Sequence, residues 1–194
     1  MRIKYNAPVV LTFALLCALV MLLSEWIIPN LNYSWFMVPG KGSFHISKLI
    51  TIFTHVIGHS DWLHLISNFT LILLIGPMLE ESYGSYPLLL MMIITAFVTG
   101  ILIVFFFRNP LLGSSGIAFM MILLSSFTNF SKGEIPLTFI LVLILYLGSE
   151  FLDSFNADNI SQFAHIVGGL CGSFFGFVRI GKNKNTAVMP GRNK

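Results

Sequence analysis

The chain has 194 residues, of which 56% are hydrophobic and only 10% charged. A soluble chain carries roughly a quarter charged residues, so an ordinary soluble domain is excluded, and a mean hydropathy of +0.85 points to bundled transmembrane helices. The net charge of +3 invites a nucleic-acid partner, but the basic residues cluster at the two ends of the chain, so topology accounts for them and no nucleic-acid partner is expected.

Apolar segments are predicted at 8–28, 62–79, 87–107, 115–130, 136–152 and 161–179. They do not alternate with polar residues, which argues against a β-barrel. The first follows Arg2 and Lys4 and looks like a signal peptide, but it is long and lacks a small-x-small cleavage site, so it is read as a retained span. A long connection follows, about residues 29–61, with Trp35, Phe36, Phe44 and Phe53 in it and Trp62 just beyond, a composition suited to the membrane interface. Turn residues divide the later spans: Gly76, Pro77 and Gly84, then Asn109 and Pro110, then Gly133 and Pro136, then Asp153 and Asn156. Six spans put both termini on one side, together with Arg2, Lys4, Lys132, Arg179, Lys182 and Lys184. The positive-inside rule makes that side the cytoplasm. The starts of spans two, four and six then face the exterior, or the periplasm of a Gram-negative cell. Cys17 and Cys171 lie in apolar segments and read as buried thiols.

Three polar motifs sit at those three starts. In span two, His64 and Asn68 are four residues apart, on one helical face. Both can donate to a developing oxyanion, and both can equally serve as hydrogen bonds between helices. In span four, Gly113-Ser114-Ser115-Gly116 follows a Pro-Leu-Leu-Gly turn. Ser115 would stand among free helix N-terminal N–H groups, which suits a nucleophile and an ordinary N-cap alike. In span six, His165 precedes Gly168, Gly172 and Gly176 on nearly the same face. Such a stripe allows near backbone-to-backbone packing, which could bring His165 to a serine on a neighbouring helix or leave it as a buried, hydrogen-bonded ring. Span six contains no acidic residue, so a Ser–His dyad fits better than a triad. His55 and His59 lie upstream, but metal-ligand spacing is lacking and no metal is expected.

Together the motifs resemble those of the rhomboid family of intramembrane serine proteases. FTHVIGHSDWLHLISNFTLILLIGPMLEESYGS is similar to the family's second-span region, with its H-x-x-x-H-x-x-x-x-H-x-x-x-N spacing and following E-x-x-x-G-S. GSSG matches G-x-S-G, and AHIVGGLCG matches A-H-x-x-G-x-x-x-G. The resemblance implies an all-α, six-transmembrane-helix bundle over 1–181 and a short basic cytoplasmic tail over 182–194. It implies Ser115 as nucleophile and His165 as general base. The oxyanion hole would be His64, Asn68 and the Ser115 backbone, shaped by Gly113, with Gly168, Gly172 and Gly176 for helix packing. The implied activity is endopeptidase cleavage in or near transmembrane segments of other membrane proteins, without metal or cofactor, in a bacterial inner membrane. An inactive relative that binds membrane clients is the alternative, although such proteins lose Ser or His and both are present here. Two positions depart from the pattern. Ile50-Thr51 replaces a Trp-Arg pair of the first exterior loop, and Phe119 replaces a Tyr whose ring stacks on the catalytic His.

Overall fold

The computed structural model describes residues 4–127, 137, 140, 141, 144 and 159–187. These residues are helical apart from loops and one isolated antiparallel bridge, Val38 to Leu111. The helices are α1 (Pro8–Trp26), α2 (Thr51–Thr54), α3 (Trp62–Tyr83), α4 (Ser85–Phe106), α5 (Ser115–Ser125) and α6 (Asn159–Ala187). Of these, α1, α3 and α4 are long and apolar enough to cross a membrane. The predicted span at 136–152 lies outside the described residues except for Leu137, Ile140, Leu141 and Ile144, which are helical and exposed.

The second span runs past its expected end. Pro77 lies inside α3, and the turn falls at Gly84, whose φ of +90° only glycine adopts without strain. A proline inside a helix removes one backbone hydrogen bond, which a packed membrane bundle tolerates. Close packing reinforces continuity: a Cβ at Gly76 would stand 2.8 Å from Val10 Cγ2, so α1 presses on α3 there. The fourth element is shorter than expected, ending at Ser125, and α6 continues past 179 to Ala187.

Glu80 joins three helices. It is buried, and its two carboxylate oxygens accept from Val9 N–H and Val10 N–H, each at 3.0 Å. These are orphan donors of the first turn of α1, where negative charge is favoured. The Ser85 hydroxyl donates to the same carboxylate at 2.7 Å, fixing the start of α4. Glu80→Ala should strand these donors and lower stability by roughly 3 kcal/mol. Thermal unfolding in detergent checks this; an unchanged midpoint would show that the cap is dispensable.

The helix α5 is the hub. Every residue from Gly116 to Leu124 is buried, against α3 on one side and α6 on the other. The long connection is ordered around it by a π-helical turn at Asn32–Phe36, a 3-10 turn at Ile46–Lys48 and α2. Gly100 of α4 lets α2 approach closely, since a Cβ there would lie 2.3 Å from the Ile52 carbonyl oxygen. Thr51 is buried and donates to the Lys48 carbonyl at 2.6 Å, while Ile50 is exposed. Backbone hydrogen bonds in both directions between Val38 and Leu111 tie the connection to the segment entering α5.

Candidate active site

The segment before α5 is held from two directions. Gly113 adopts φ +126°, and its N–H donates to the His55 carbonyl at 2.9 Å. A Cβ at Gly113 would lie 2.6 Å from His64 Cε1 and 2.8 Å from Nε2, so only glycine admits the His64 ring here. Ser114 occupies the N-cap position but does not cap the helix. Its buried hydroxyl faces His59 Nε2 at 3.0 Å instead. Ser115 is therefore the first helical residue, half-buried, beside the free N–H groups of the first turn.

His55 and His59 form the wall behind this turn. The His55 Nδ1 faces the carbonyls of Thr51 at 3.2 Å and Ile52 at 3.1 Å, so Nδ1 carries the proton. Its Nε2 faces Thr99 Oγ1 at 3.3 Å. In His59 the Nδ1 faces the Ile57 carbonyl at 3.3 Å, which leaves Nε2 to accept from Ser114. Burial pushes both imidazoles down to about 4, with the His64 charge adding to the effect at His59. Their native pKa values lie below the usual 6.5, so between 6.5 and about 4 the unfolded chain binds more protons than the native one. The stability these neutral rings support is complete above that window and falls as the pH drops through it. Acid should therefore lower the unfolding temperature, and His59→Asn should flatten that dependence. A flat profile in the unaltered protein would contradict the assignment.

On α3, the Asp61 carboxylate caps the helix by accepting the His64 N–H at 2.8 Å. That bond, and then the Ser60 hydroxyl, hold its carboxyl below the usual carboxylate range. The His64 ring lies edge-on to His59, centroids 5.2 Å apart. Asn68 follows one turn later on the same face. It is buried, and its Nδ2 has no hydrogen-bond partner among the described residues.

His165 comes from α6, which meets α5 almost backbone to backbone. A Cβ at Gly168 would stand 2.1 Å from the Gly116 carbonyl oxygen, and one at Gly172 would stand 2.2 Å from that of Met120. At Gly176 the neighbour is the Phe127 ring, 2.3 Å away at Cγ. The His165 ring stacks on Phe119, centroids 4.0 Å apart and planes 7° from parallel. Phe119 lies four residues after Ser115 on the same face of α5, so the stack holds the imidazole along the Ser115 side of the helix.

The structure thus sets the His64 ring against Gly113 and stacks His165 on Phe119, one turn after Ser115, with Asn68 one turn after His64 on α3. Sequence reasoning missed the Ser114–His59 bond and the Ser60–Asp61–His64 cluster. The available signal was the run of histidines itself, because a buried imidazole needs partners.

The family model described as the Rhomboid domain matches residues 47–182, which take in every site residue named above. The chain is 22% identical over 143 residues to the Rhomboid protease GlpG of Haemophilus influenzae, covering 72% of this chain and 74% of that protein. The chain is an integral membrane protein and belongs to the rhomboid family, a family of intramembrane proteases built as helical membrane bundles.

Proposed function

We propose that this protein is an active intramembrane serine endopeptidase with Ser115 and His165 as its catalytic pair. His165 takes the Ser115 hydroxyl proton as Oγ attacks the scissile carbonyl. The tetrahedral oxyanion meets the Ser115 backbone N–H, the Asn68 amide and His64. As the intermediate collapses, His165 returns the proton to the leaving amine. Water then attacks the acyl-enzyme by the same route. No metal or cofactor takes part.

The observation that carries this reading is the buried Nδ2 of Asn68, which has no hydrogen-bond partner among the described residues. A buried donor normally finds a partner, and leaving it without one costs about 1–3 kcal/mol. In the proposed site, a donor held open in this way serves as a resting oxyanion donor. A protein that only binds membrane clients has no use for that cost.

The substrates are transmembrane segments of other proteins. The helix α5 has 11 residues, about 16 Å of rise, roughly half the hydrocarbon thickness. A site at its start lies below the membrane surface. A substrate helix must unwind to offer its carbonyl there, so helix-weakening residues near the cut are favoured. The charge distribution supports cytoplasmic termini and a site open to the exterior or periplasmic side of a bacterial inner membrane. The membrane domain is assigned to 1–181, with a basic tail from 182.

Asn68→Ala tests the reading. With a helix-weakened transmembrane reporter in proteoliposomes, kcat should fall on the order of 10²-fold. The unfolding temperature should hold or rise, because the substitution removes a buried amide with an unpaired donor. Unchanged kcat would refute the oxyanion role.

A further inference from the structure

The cluster at the start of α3 bears on how His64 is used, and the inference below rests on the oxyanion role given to that residue above. Ser60 Oγ lies 2.7 Å from Asp61 Oδ2 and 3.0 Å from His64 Nδ1. A hydroxyl has one proton to give. The Asp61 carboxylate is the stronger acceptor and takes it, so Ser60 Oγ turns a lone pair to His64. That lone pair requires a proton on Nδ1. The Asp61 Oδ1 meanwhile accepts the His64 N–H at 2.8 Å, which holds the carboxylate in place for the relay. The opposite edge of the ring, Nε2 and Cε1, lies against Gly113 at the turn that leads to Ser115.

We propose that Ser60 and Asp61 are positioning residues for His64: they keep Nδ1 protonated and aim Nε2 at the oxyanion site, where His64 donates as an imidazolium. In the neutral ring so held, Nε2 carries a lone pair and repels an oxyanion. After taking a second proton from water, both ring nitrogens donate, Nδ1 to Ser60 and Nε2 to the oxyanion. The Asp61 carboxylate, one hydroxyl away, supplies the counter-charge. The titratable groups facing the ring are Asp61 on its own turn, His59 from the connection and His165 from α6.

The test uses the full-length protein in proteoliposomes with the same reporter. Ser60→Ala should lower kcat about tenfold, less than outright loss of an oxyanion donor, with KM and unfolding temperature unchanged. Ser60→Thr, which keeps the hydroxyl, should restore kcat. In a His64→Ala background, Ser60→Ala should cost nothing further. The unaltered protein should lose kcat on the alkaline side as His64 gives up its second proton, and His64→Ala should lack that limb. Isotope-labelled histidine NMR above the alkaline limb, where the ring is neutral, should show Nδ1–H at His64 in the unaltered protein and Nε2–H in Ser60→Ala. Wild-type kcat in Ser60→Ala, an equal loss in the His64→Ala background, an alkaline limb that survives His64→Ala, or a neutral His64 ring protonated on Nε2 in the unaltered protein above that limb would each overturn the proposal. If His64→Ala keeps full kcat while Ser115→Ala is dead, the serine mechanism stands and both the donor role of His64 and this proposal fall. An active Ser115→Ala rejects the catalytic reading itself.

Discussion

Ser115→Ala is expected to abolish cleavage of a transmembrane reporter, with a loss on the order of 10⁴-fold or more, as for serine enzymes that lose their nucleophile. His165→Ala should lose about as much, because nucleophile and base act as one unit. The protein should stay folded in both cases. Ser115 is half-buried at the first position of α5, and the structural task in this motif falls to its neighbour. Ser114 is fully buried and bonded to His59 Nε2 at 3.0 Å. Ser114→Ala should therefore show the opposite profile in unfolding experiments, destabilising by about 1–3 kcal/mol as the His59 acceptor loses its donor. Two adjacent serines thus separate chemistry from architecture, and reporter cleavage together with thermal unfolding distinguishes them. Cleavage by Ser115→Ala at the wild-type rate would remove the serine mechanism.

Gly168→Ala should be nearly as damaging, though it touches no reacting atom. The added methyl would sit 2.1 Å from the Gly116 carbonyl oxygen and 2.8 Å from its carbon. Both are backbone atoms in the first turn of α5 and have no rotamer to yield. The helices must part by on the order of 1 Å, and His165 lies one turn earlier on the same stripe of α6. A 1 Å misplacement of a catalytic group can cost about 10²-fold in rate. Gly168→Ala should accordingly cut kcat by about that factor and lower the unfolding temperature. Gly172→Ala should behave similarly, because Met120 O lies 2.2 Å from its added methyl. Gly169 is the control. A Cβ there meets Leu123 side-chain atoms at 3.6 Å, an ordinary contact, so Gly169→Ala should be neutral or slightly stabilising. Equal kcat for Gly168→Ala and Gly169→Ala would mean that the α5–α6 approach does not position His165.

The sequence made the membrane character legible because hydropathy is a local property. It also made the three motifs legible, since their spacings within a helix carry the pattern. Turns were harder. Gly76 and Pro77 read as breakers by their behaviour in water, yet α3 passes through them to Gly84. Without water to compete for the backbone, one missing hydrogen bond does not end a helix. The partners of His55 and His59 were not legible at all. Thr99 and Ser114 are 44 and 55 residues away, and only tertiary packing brings them together. The departure at Phe119 could be weighed only with the structure. Its ring stacks on His165 without a hydroxyl, so the contact depends on the ring faces.

Labelling by a fluorophosphonate probe tests the central claim most directly, because it reports an activated serine without needing the natural substrate. The reconstituted protein should form a single adduct, at Ser115. That adduct should be absent in Ser115→Ala and strongly reduced in His165→Ala. An adduct at another residue, labelling of Ser115 that does not depend on His165, or a folded protein that never reacts would contradict a Ser115–His165 dyad.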